Sequence, residues 1–362
     1  MTVAPIMIMA GGTGGHVFPG LAVAEILAAE NQAVVWLGTR RGLEATLVPA
    51  RGIDVEWISI AGVRGRGLLA WLLAPFKIIR AVMQALAIVI RRRPAAVLGL
   101  GGFVAGPGGV AAWLTRKPLV LHEQNAVAGT TNRLLARLAN QVFEAFPGSF
   151  PAKIGARAIG NPVRDSIIAC GNASSRRARG STKPLRLLVL GGSQGALVLN
   201  QTVPAALALL PATERPSVRH QAGRSLAEAE AAYSAAGVTA DCVAFIDDMA
   251  EAYTWADIVI ARAGALTLAE LAAAGVGAIL VPYPHAIVDH QMKNAAFFAA
   301  AGAAIVLPQH ELDAKRLAGE LGRILADPAL AAAMAIRSHS LLQADAARQL
   351  ADACLKLAGE RR

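Results

Sequence analysis

The feature that most constrains the fold is an alternation of short aliphatic segments with Ala/Leu-rich stretches of helical character, which occurs in two successive sets. Strands that are apolar throughout and separated by helices are typical of parallel sheets covered on both faces. The sequence therefore predicts an α/β protein with two doubly wound, Rossmann-like domains. The predicted strands are Val3–Met9, Ala33–Leu37, Val55–Ile60, Ala96–Leu100, Pro118–Leu121, Gln141–Phe143, Leu185–Leu190, Val218–Gln221, Cys242–Phe245, Ile258–Ala261, Ala278–Val281 and Ala304–Leu307.

The break between the two sets lies near Gly160–Pro162, which we interpret as the interdomain connection. The polar stretch 171–183 follows it and reads as a surface loop before the next strand. We therefore predict an N-terminal domain over 1–162 and a C-terminal domain over 163–340. A final helix at about 341–362 is expected to pack back on the first domain.

Three glycine-rich loops follow predicted strands, at 11–15, 101–109 and 191–195. Glycine lets a backbone approach a phosphate closely, and the N-terminus of the following helix offers unpaired N–H groups. The sequence contains no P-loop pattern, and GxGxxG matches none of the loops except as a loose variant at 106–111 that no acidic residue follows. The loops predict a phosphate-containing ligand and disfavour a nicotinamide dehydrogenase, although tight strand–helix turns alone would also explain glycines.

The net charge of +10 is concentrated in the first half of the chain. Residues 1–160 hold 16 Lys/Arg and 7 Asp/Glu, or +9, whereas residues 161–362 hold 19 and 18, or +1. Such a basic half suits nucleic acid, a membrane surface or a phosphorylated substrate. The aromatic content of 5% disfavours base stacking, and the balanced second half disfavours broad phosphate coverage, so we expect no nucleic acid partner.

The segment 10–25, AGGTGGHVFPGLAVAE, resembles the N-terminal signature of the bacterial peptidoglycan glycosyltransferases that make lipid II. Further matches to that family follow in order at 101–109, 122–133, 160–164, 191–196, 245–249, 262–270 and 282–291, and together they extend over about 280 residues. The resemblance implies the two-domain GT-B architecture, with the domains facing each other across a cleft. It also implies inverting transfer of N-acetylglucosamine from UDP-N-acetylglucosamine to the C4 hydroxyl of the N-acetylmuramoyl unit of lipid I, which is undecaprenyl-pyrophosphoryl-N-acetylmuramoyl pentapeptide.

Matching residues to the family's motifs gives a set of candidate donor-binding residues. In the C-terminal domain, Ser193 would contact the diphosphate, Ile246 the uracil, Glu270 the ribose hydroxyls and Gln291 the sugar hydroxyls, while Arg164 would pair with the diphosphate. The complete set is Thr13, Gly14, Gly15, Asn125, Arg164, Ser193, Ile246, Ala265, Leu266, Thr267, Leu268, Ala269, Glu270 and Gln291.

Structural explanations remain open for several of these residues. Glu270 could lie on a solvated helix face, Gln291 could cap a helix or lie on the surface, Asn125 could form a turn, and Arg164 could make a structural salt bridge. Asp248, with its neighbour Asp247, is expected to cap a helix rather than to act chemically. The sequence also departs from the family's pattern at Ala261, where a serine is frequent, and at 287–288, where polar residues are common.

The transfer step needs a base near the acceptor hydroxyl and stabilisation of charge on the leaving diphosphate. His16 is the candidate catalytic base because it ends the first glycine loop and has an unperturbed pKa near neutral. His122 and Glu123 are the alternatives, and a purely hydrogen-bonding role for His16 also stays open. No Asp-x-Asp motif occurs in the sequence, so we predict no protein-bound metal and no required cofactor, with Mg²⁺ able to accompany the substrate.

The segment 64–93 combines apolar residues with seven Lys/Arg and contains no acidic residue. Such a composition suits an anionic membrane interface, and we place the membrane contact at about 64–80, with Leu69, Trp71 and Phe76 as its apolar anchors. The later part, Ile79–Ile90, is expected to face the domain core. We predict no transmembrane helix and a peripheral position on the cytoplasmic face of the bacterial inner membrane. Two other functions stay open: a different UDP-sugar-dependent lipid glycosyltransferase, or a non-enzymatic basic membrane binder.

Overall fold

A computed structural model of the chain describes residues 4–60, 73–171, 184–192, 195–284 and 290–360. The chain forms two compact units, one comprising Met1–Arg164 with Gln343–Arg362 and the other comprising Asp165–Leu342. The first unit extends two residues beyond the predicted boundary at 162. Val163 is buried, and the Arg164 guanidinium lies 4.9 Å from the centre of the Phe18 ring. Arg164 therefore belongs to the first unit and not, as its place in the predicted domain 163–340 implied, to the second.

The first unit contains a parallel sheet of seven strands in the order β3-β2-β1-β4-β5-β6-β7. Six of these strands were predicted; the seventh, a two-residue edge strand with both side chains exposed, lacks the apolar pattern on which the prediction relied. The strands are β1 (Ile6–Met9), β2 (Val34–Gly38), β3 (Asp54–Trp57), β4 (Ala96–Gly99), β5 (Leu119–Glu123), β6 (Gln141–Glu144) and β7 (Arg157–Ala158).

Helices cover both faces of this sheet and bury apolar side chains against it. The described helices of the first unit are α1 (Gly14–Ala29), α2 (Glu44–Leu47), α3 (Ala74–Arg92), α4 (Gly102–Leu114), α5 (Thr130–Leu135) and, at the end of the chain, α14 (Ala346–Gly359). Leu350 and Cys354 of α14 are fully buried in the same core cluster as Leu21, Leu27 and Trp36. The C-terminal helix is therefore an integral part of the first unit.

The second unit repeats this plan with a parallel sheet of six strands in the order β10-β9-β8-β11-β12-β13. Its strands are β8 (Arg186–Leu190), β9 (Ser217–Gln221), β10 (Asp241–Val243), β11 (Ile258–Ala261), β12 (Gly277–Leu280) and β13 (Ala304–Val306). Its described helices are α6 (Asp165–Cys170), α7 (Leu197–Ala208), α8 (Leu226–Ala235), α9 (Met249–Trp255), α10 (Ala265–Ala274), α11 (His290–Ala300), α12 (Ala314–Ala326) and α13 (Pro328–His339).

Strand order reverses once in each sheet, between β1 and β4 in the first unit and between β8 and β11 in the second. The loops that leave the carboxyl ends of two such strands diverge to opposite faces of the sheet, and ligands of doubly wound folds bind in the crevice that this creates. In the first unit these are the glycine loops after β1 and β4. The prediction of a loop over 101–109 was wrong beyond Gly101, because residues 102–109 form the first part of helix α4. In the second they are the glycine loop at 191–195 and the segment that begins at Arg262. The topology therefore places all three predicted loops at ligand-binding positions.

Helix α3 buries one face against the first unit and exposes another that is also apolar. Ala81, Ala85, Ile88 and Val89 are buried. The exposed side chains on the opposite face are Phe76, Ile79, Met83 and Ile90. The prediction that the whole of Ile79–Ile90 faces the core was therefore wrong for Ile79, Met83 and Ile90. The apolar side chains of this helix span more of its circumference than the face that packs on the unit.

The first half of the predicted membrane segment, including Leu69 and Trp71, lies outside the described residues. Among the helices that the structure describes, none is long and apolar enough to span a membrane.

Candidate functional site

The first glycine loop connects β1 to α1 at the point where the first sheet reverses its strand order. Gly12 adopts φ = +98°, a left-handed conformation that favours glycine. Thr13 is the exposed N-cap residue of α1, and its side chain makes no capping hydrogen bond. Gly14 and Gly15 form the first helical turn. The loop thus ends in a helix N-terminus that carries a threonine hydroxyl beside it, an arrangement suited to an anionic or hydroxyl-rich ligand.

The second glycine loop packs directly against the first. Gly101 and Gly102 both have positive φ, at +90° and +75°. A Cβ atom at Gly102 would lie 2.6 Å from the carbonyl oxygen of Gly11, so only glycine allows the two backbones to approach this closely. A Cβ atom at Gly101 would lie 3.0 Å from Cδ2 of His16, which places the histidine ring along the edge of the second loop.

His16 is the third residue of α1 and is half-buried. Its Nδ1 lies 3.4 Å from Oγ1 of Thr13. Burial lowers the pKa of His16 below 6.5, while the carboxylates of Glu123 and Glu44 act in the opposite direction. The ring is therefore neutral at pH 7, the state in which an imidazole nitrogen can accept a proton.

His122, the alternative base, is fully buried at the end of β5. Its Nε2 lies 2.8 Å from the carbonyl oxygen of Gly160, which can only accept, so Nε2 carries the proton. Its Nδ1 lies 3.3 Å from Nε2 of Gln124, which donates to it. Burial lowers the pKa of His122 to about 4. Both ring nitrogens have protein partners, and this geometry indicates a structural role that fixes the segment leading out of the first unit.

Glu123, the other alternative, is a buried carboxylate that accepts four hydrogen bonds. Its Oε1 accepts from the backbone N–H and the side-chain amide of Asn125, at 3.0 and 3.1 Å. Its Oε2 accepts from the backbone N–H of Gly129 at 3.0 Å and from the amide of Asn132 at 2.9 Å. This carboxylate organises the loop after β5 and orients Asn125, whose carbonyl oxygen accepts from Oγ of Ser149 at 2.8 Å.

Arg164 lies at the end of the first unit, with its guanidinium over the Phe18 ring of α1. A cation over an aromatic face is attracted by the ring quadrupole, and the ring also limits the directions in which the guanidinium can move. Arg164 is therefore held near the helix that begins at the first glycine loop.

In the second unit, the loop after β8 packs against the segment that follows β9. The N–H of Gly191 donates to the carbonyl oxygen of Gln221 at 2.9 Å, and the N–H of Gly195 donates to that of Gly192 at the same distance. A Cβ atom at Gly195 would lie 2.6 Å from the carbonyl oxygen of Ala222. Ser193 lies outside the described residues, so only the loop's two ends are placed.

Helix α10 begins directly after the loop that follows β11, with Gly264 as its N-cap. Ala265, Leu266 and Thr267 form its first turn, ahead of the first intrahelical bond, from the N–H of Leu268 to the carbonyl oxygen of Gly264. Leu268 is fully buried, so its side chain belongs to the core. The sequence 265–270 thus presents a helix N-terminus at the carboxyl edge of the second sheet, with Ala269 half-buried in the next turn.

Glu270 is buried at 7% exposure, and its Oε2 accepts a hydrogen bond from the Tyr253 hydroxyl at 3.1 Å. The solvated helix face considered for Glu270 is therefore wrong. Ile246 lies half-buried in the loop between β10 and α9. In the same loop, Oδ1 of Asp248 accepts from the N–H of Glu251 at 2.9 Å, and this confirms the predicted helix cap.

Gln291, in the first turn of α11, accepts a hydrogen bond from the N–H of Tyr283 through Oε1 at 2.9 Å. This bond fixes the amide and leaves its Nε2 group pointing away from the backbone of Tyr283. Gln291 lines a pocket of about 450 Å³ in the second unit. The pocket's other lining residues are Gly195, Ala196, Leu197, Val198, Gln201, Arg262, Tyr283 and Gln309.

Each unit therefore gathers its own predicted residues at the carboxyl edge of its sheet: Thr13–His16, Asn125 and Arg164 in the first, and Ile246, 265–270 and Gln291 in the second. Sequence reasoning missed three residues that the structure adds, namely Glu44, Tyr253 and Arg262. Arg262 fell within a matched motif and is held over the Tyr283 ring at 5.4 Å. Glu44 and Tyr253 fell in no motif, and only the folded chain brings them to the sites.

Comparisons with known proteins assign this architecture to a class. The chain matches the N-terminal domain of glycosyltransferase family 28 over residues 6–144 and the C-terminal domain of the same family over residues 186–351. The chain is thus a hexosyltransferase of the GT-B fold class, with one family 28 domain in each unit.

Full-length relatives narrow the class further. The chain is 59% identical to a UDP-N-acetylglucosamine–N-acetylmuramyl-(pentapeptide) pyrophosphoryl-undecaprenol N-acetylglucosamine transferase of Alkalilimnicola ehrlichii, with 97% of this chain and 98% of that protein covered. It is 57% identical to the enzyme of the same name from Nitrosococcus oceani, with 98% of each covered. A crystal structure of Acinetobacter baumannii MurG is similar at a TM-score of 0.82 and 40% identity, covering 97% of this chain and 99% of that one. This chain belongs to that family of N-acetylglucosamine transferases.

Proposed function

We propose that this protein transfers N-acetylglucosamine from UDP-N-acetylglucosamine to the C4 hydroxyl of the N-acetylmuramoyl unit of lipid I, which forms lipid II for peptidoglycan synthesis. The observation that carries the proposal is identity of more than half over nearly the whole chain to enzymes named for this transfer. The three glycine loops at the switch points of the two sheets supply the phosphate-binding geometry that such a donor needs.

In the reaction, the C4 oxygen of the acceptor attacks the anomeric carbon of the donor sugar from the face opposite UDP. The bond between that carbon and the diphosphate oxygen breaks, the configuration inverts, and UDP leaves with the bonding electron pair. His16 removes the hydroxyl proton during the attack, because it is the titratable side chain of the first glycine loop and its ring is neutral.

The donor binds mainly to the second unit. Glu270, held by Tyr253, accepts hydrogen bonds from the ribose hydroxyls. Gln291 binds the sugar hydroxyls through its side-chain amide, and Ile246 contacts the uracil through its backbone. The first turn of α10, with Ser193 and its glycine loop, receives the diphosphate. In the first unit, Thr13, Gly14, Gly15, Asn125 and Arg164 contribute the remaining contacts with the substrates.

Charge on the leaving diphosphate is balanced by backbone N–H groups, by the positive end of the α10 dipole and by the Arg164 guanidinium. These groups are suited to the task without a metal held by the protein, and Mg²⁺ would arrive only with the nucleotide. We therefore propose that the enzyme requires no resident cofactor.

The membrane contact is proposed to be the exposed apolar face of α3, whose first part lies within the predicted segment 64–80. Phe76, Ile79 and Met83 are exposed at 71%, 60% and 59%, and Lys77 and Arg80 lie exposed beside them. Each basic residue near an anionic surface contributes about 1 kcal/mol to binding, and the apolar side chains add burial in the interface. This face would hold the enzyme on the cytoplasmic side of the inner membrane, where its lipid-linked acceptor is embedded.

A transfer assay tests the activity directly. Radiolabelled UDP-N-acetylglucosamine and a lipid I analogue should give a labelled lipid product. Labelling of a different lipid acceptor, without labelling of lipid I, would favour another lipid glycosyltransferase of the same superfamily. No transfer to any acceptor would overturn the proposal.

Sedimentation with phosphatidylglycerol-containing vesicles tests the membrane contact. Replacing Phe76, Ile79 and Met83 together with serine should remove most of the binding. The matched control is Leu209→Ser with Ile336→Ser, because these side chains are exposed at 54% and 52% but lie on the second unit. Equal binding by both variants would overturn the assignment of α3.

A further inference from the structure

We infer that Glu44 is a positioning residue for the transfer reaction: its buried carboxylate fixes the conformation of the first glycine loop and thereby the place of His16. The inference rests on the proposed function, since it assigns the loop to catalysis. Glu44 belongs to no motif of the sequence and lies 28 residues after His16 along the chain.

The Glu44 side chain is completely buried at the start of the short helix α2. Its Oε2 accepts from the backbone N–H of Gly12 at 2.9 Å. Its Oε1 accepts from the backbone N–H of Thr39 at 3.0 Å and from the Thr39 hydroxyl at 2.8 Å. All three donors are uncharged. A buried carboxylate is costly unless hydrogen-bond donors satisfy its oxygens, and here a backbone N–H is aimed at each of the two.

The surrounding backbone is shaped to admit this carboxylate. A Cβ atom at Gly11 would lie 2.6 Å from Oε1 of Glu44, and one at Gly38 would lie 2.8 Å from its Cγ. A Cβ atom at Gly42 would overlap the carboxylate itself. Three glycines from three separate segments, the first loop, the end of β2 and the turn before α2, thus make room for one side chain.

Gly12 is held from both sides. Its N–H donates to Glu44, and its carbonyl oxygen accepts from the N–H of Leu43 at 3.2 Å. The next residue, Thr13, is the N-cap of α1, and its carbonyl oxygen accepts from the N–H of His16 at 3.1 Å. The hydrogen-bond chain therefore runs from the Glu44 carboxylate through the left-handed Gly12 to the helical turn that carries the proposed base.

The test compares Glu44→Gln with Thr39→Val. Glutamine has the same shape, but in either orientation its NH₂ group faces a backbone N–H, that of Gly12 or that of Thr39. Thr39→Val removes only the hydroxyl and leaves both backbone bonds to the carboxylate. Because misplacing a catalytic group by about 1 Å can cost on the order of 100-fold in rate, Glu44→Gln should lower kcat by about 10- to 100-fold, with the donor KM changed less than about threefold. Thr39→Val should keep kcat within about threefold of wild type.

Gly12→Ala gives an independent measurement that leaves Glu44 intact. A Cβ atom there meets nothing within 4 Å, but φ = +98° is strained for alanine, so the loop conformation alone is disturbed. Gly12→Ala should reproduce the loss of kcat, and it tests the inference on its own if Glu44→Gln does not fold. A Glu44→Gln enzyme that folds and keeps wild-type kcat, or a Gly12→Ala enzyme with wild-type kcat, would overturn the inference. Lack of transfer by the wild-type enzyme would instead overturn the proposed function.

Discussion

The hydroxyl of Tyr253 donates a hydrogen bond to Oε2 of Glu270 at 3.1 Å, and both side chains are buried in the second unit. Tyr253 is fully buried in α9 and Glu270 lies in α10, so the bond ties two neighbouring helices. A carboxylate that already accepts one hydrogen bond has fewer ways to rotate. The bond therefore orients the Glu270 carboxylate toward the ribose hydroxyls of the donor that we propose it binds.

Tyr253→Phe should raise the KM for UDP-N-acetylglucosamine by about 3- to 10-fold, with a smaller change in kcat. A hydrogen bond to a charged group contributes about 1.5–3 kcal/mol, and only part of this free energy contributes to donor binding. Steady-state kinetics with varied donor measure the change. Tyr233→Phe is the matched control: Tyr233 is equally buried in the second unit, but its hydroxyl contacts His220 at 2.9 Å. Equal effects of the two variants would mean that Tyr253 acts only through stability.

His16→Ala should lower kcat by about 10²- to 10⁴-fold, the range for loss of a general base, and change donor affinity little. Burial lowers the pKa of His16, with Glu123 and Glu44 opposing the shift, so the neutral, active form persists somewhat below pH 6.5. The rate should fall only as the pH drops below that lowered pKa. A pH profile of kcat/KM, with donor binding measured by calorimetry, checks both statements. Weakened donor binding at unchanged kcat would make His16 a binding residue.

Stability should fall as the pH drops from about 6.5 to about 4. Burial lowers the pKa values of His122 and His220 to about 4, so the unfolded chain takes up protons on these residues before the folded chain does. Each contributes a slope of about 1.4 kcal/mol per pH unit within this window. His220→Leu should reduce the slope of unfolding free energy against pH by that amount. An unchanged slope for His220→Leu would contradict the lowered pKa of His220 in the folded protein.

Leu350→Ala should lower the free energy of unfolding of the first unit by about 2–5 kcal/mol. Its side chain is fully buried in the core cluster shared by α1, β1 and β4, and truncation there leaves a cavity. Lys356→Ala, on the exposed face of the same helix, is the control. Chemical denaturation followed by circular dichroism measures the difference. A loss below about 1 kcal/mol would mean that α14 contributes little to this core.

The sequence by itself determined the class of fold and the chemistry to look for. Every predicted strand has a counterpart in the structure, because short apolar segments between helical stretches have few alternatives to a buried parallel sheet. The glycine loops could also be recognised, since positive φ and close backbone approach at Gly12 or Gly102 require that residue type.

Only the tertiary structure decided which polar groups hold those loops in place and which can contact a ligand. His122 and Glu123 carry the right chemistry in a matched motif, yet burial and saturated hydrogen bonding turn both into supports for their neighbours. Glu44 and Tyr253 carry no sequence signal, because their partners, Gly12 and Glu270, lie 32 and 17 residues away along the chain. Local patterns encode strands, turns and loops, whereas the contacts that aim a side chain depend on segments that meet only after the sheets have formed.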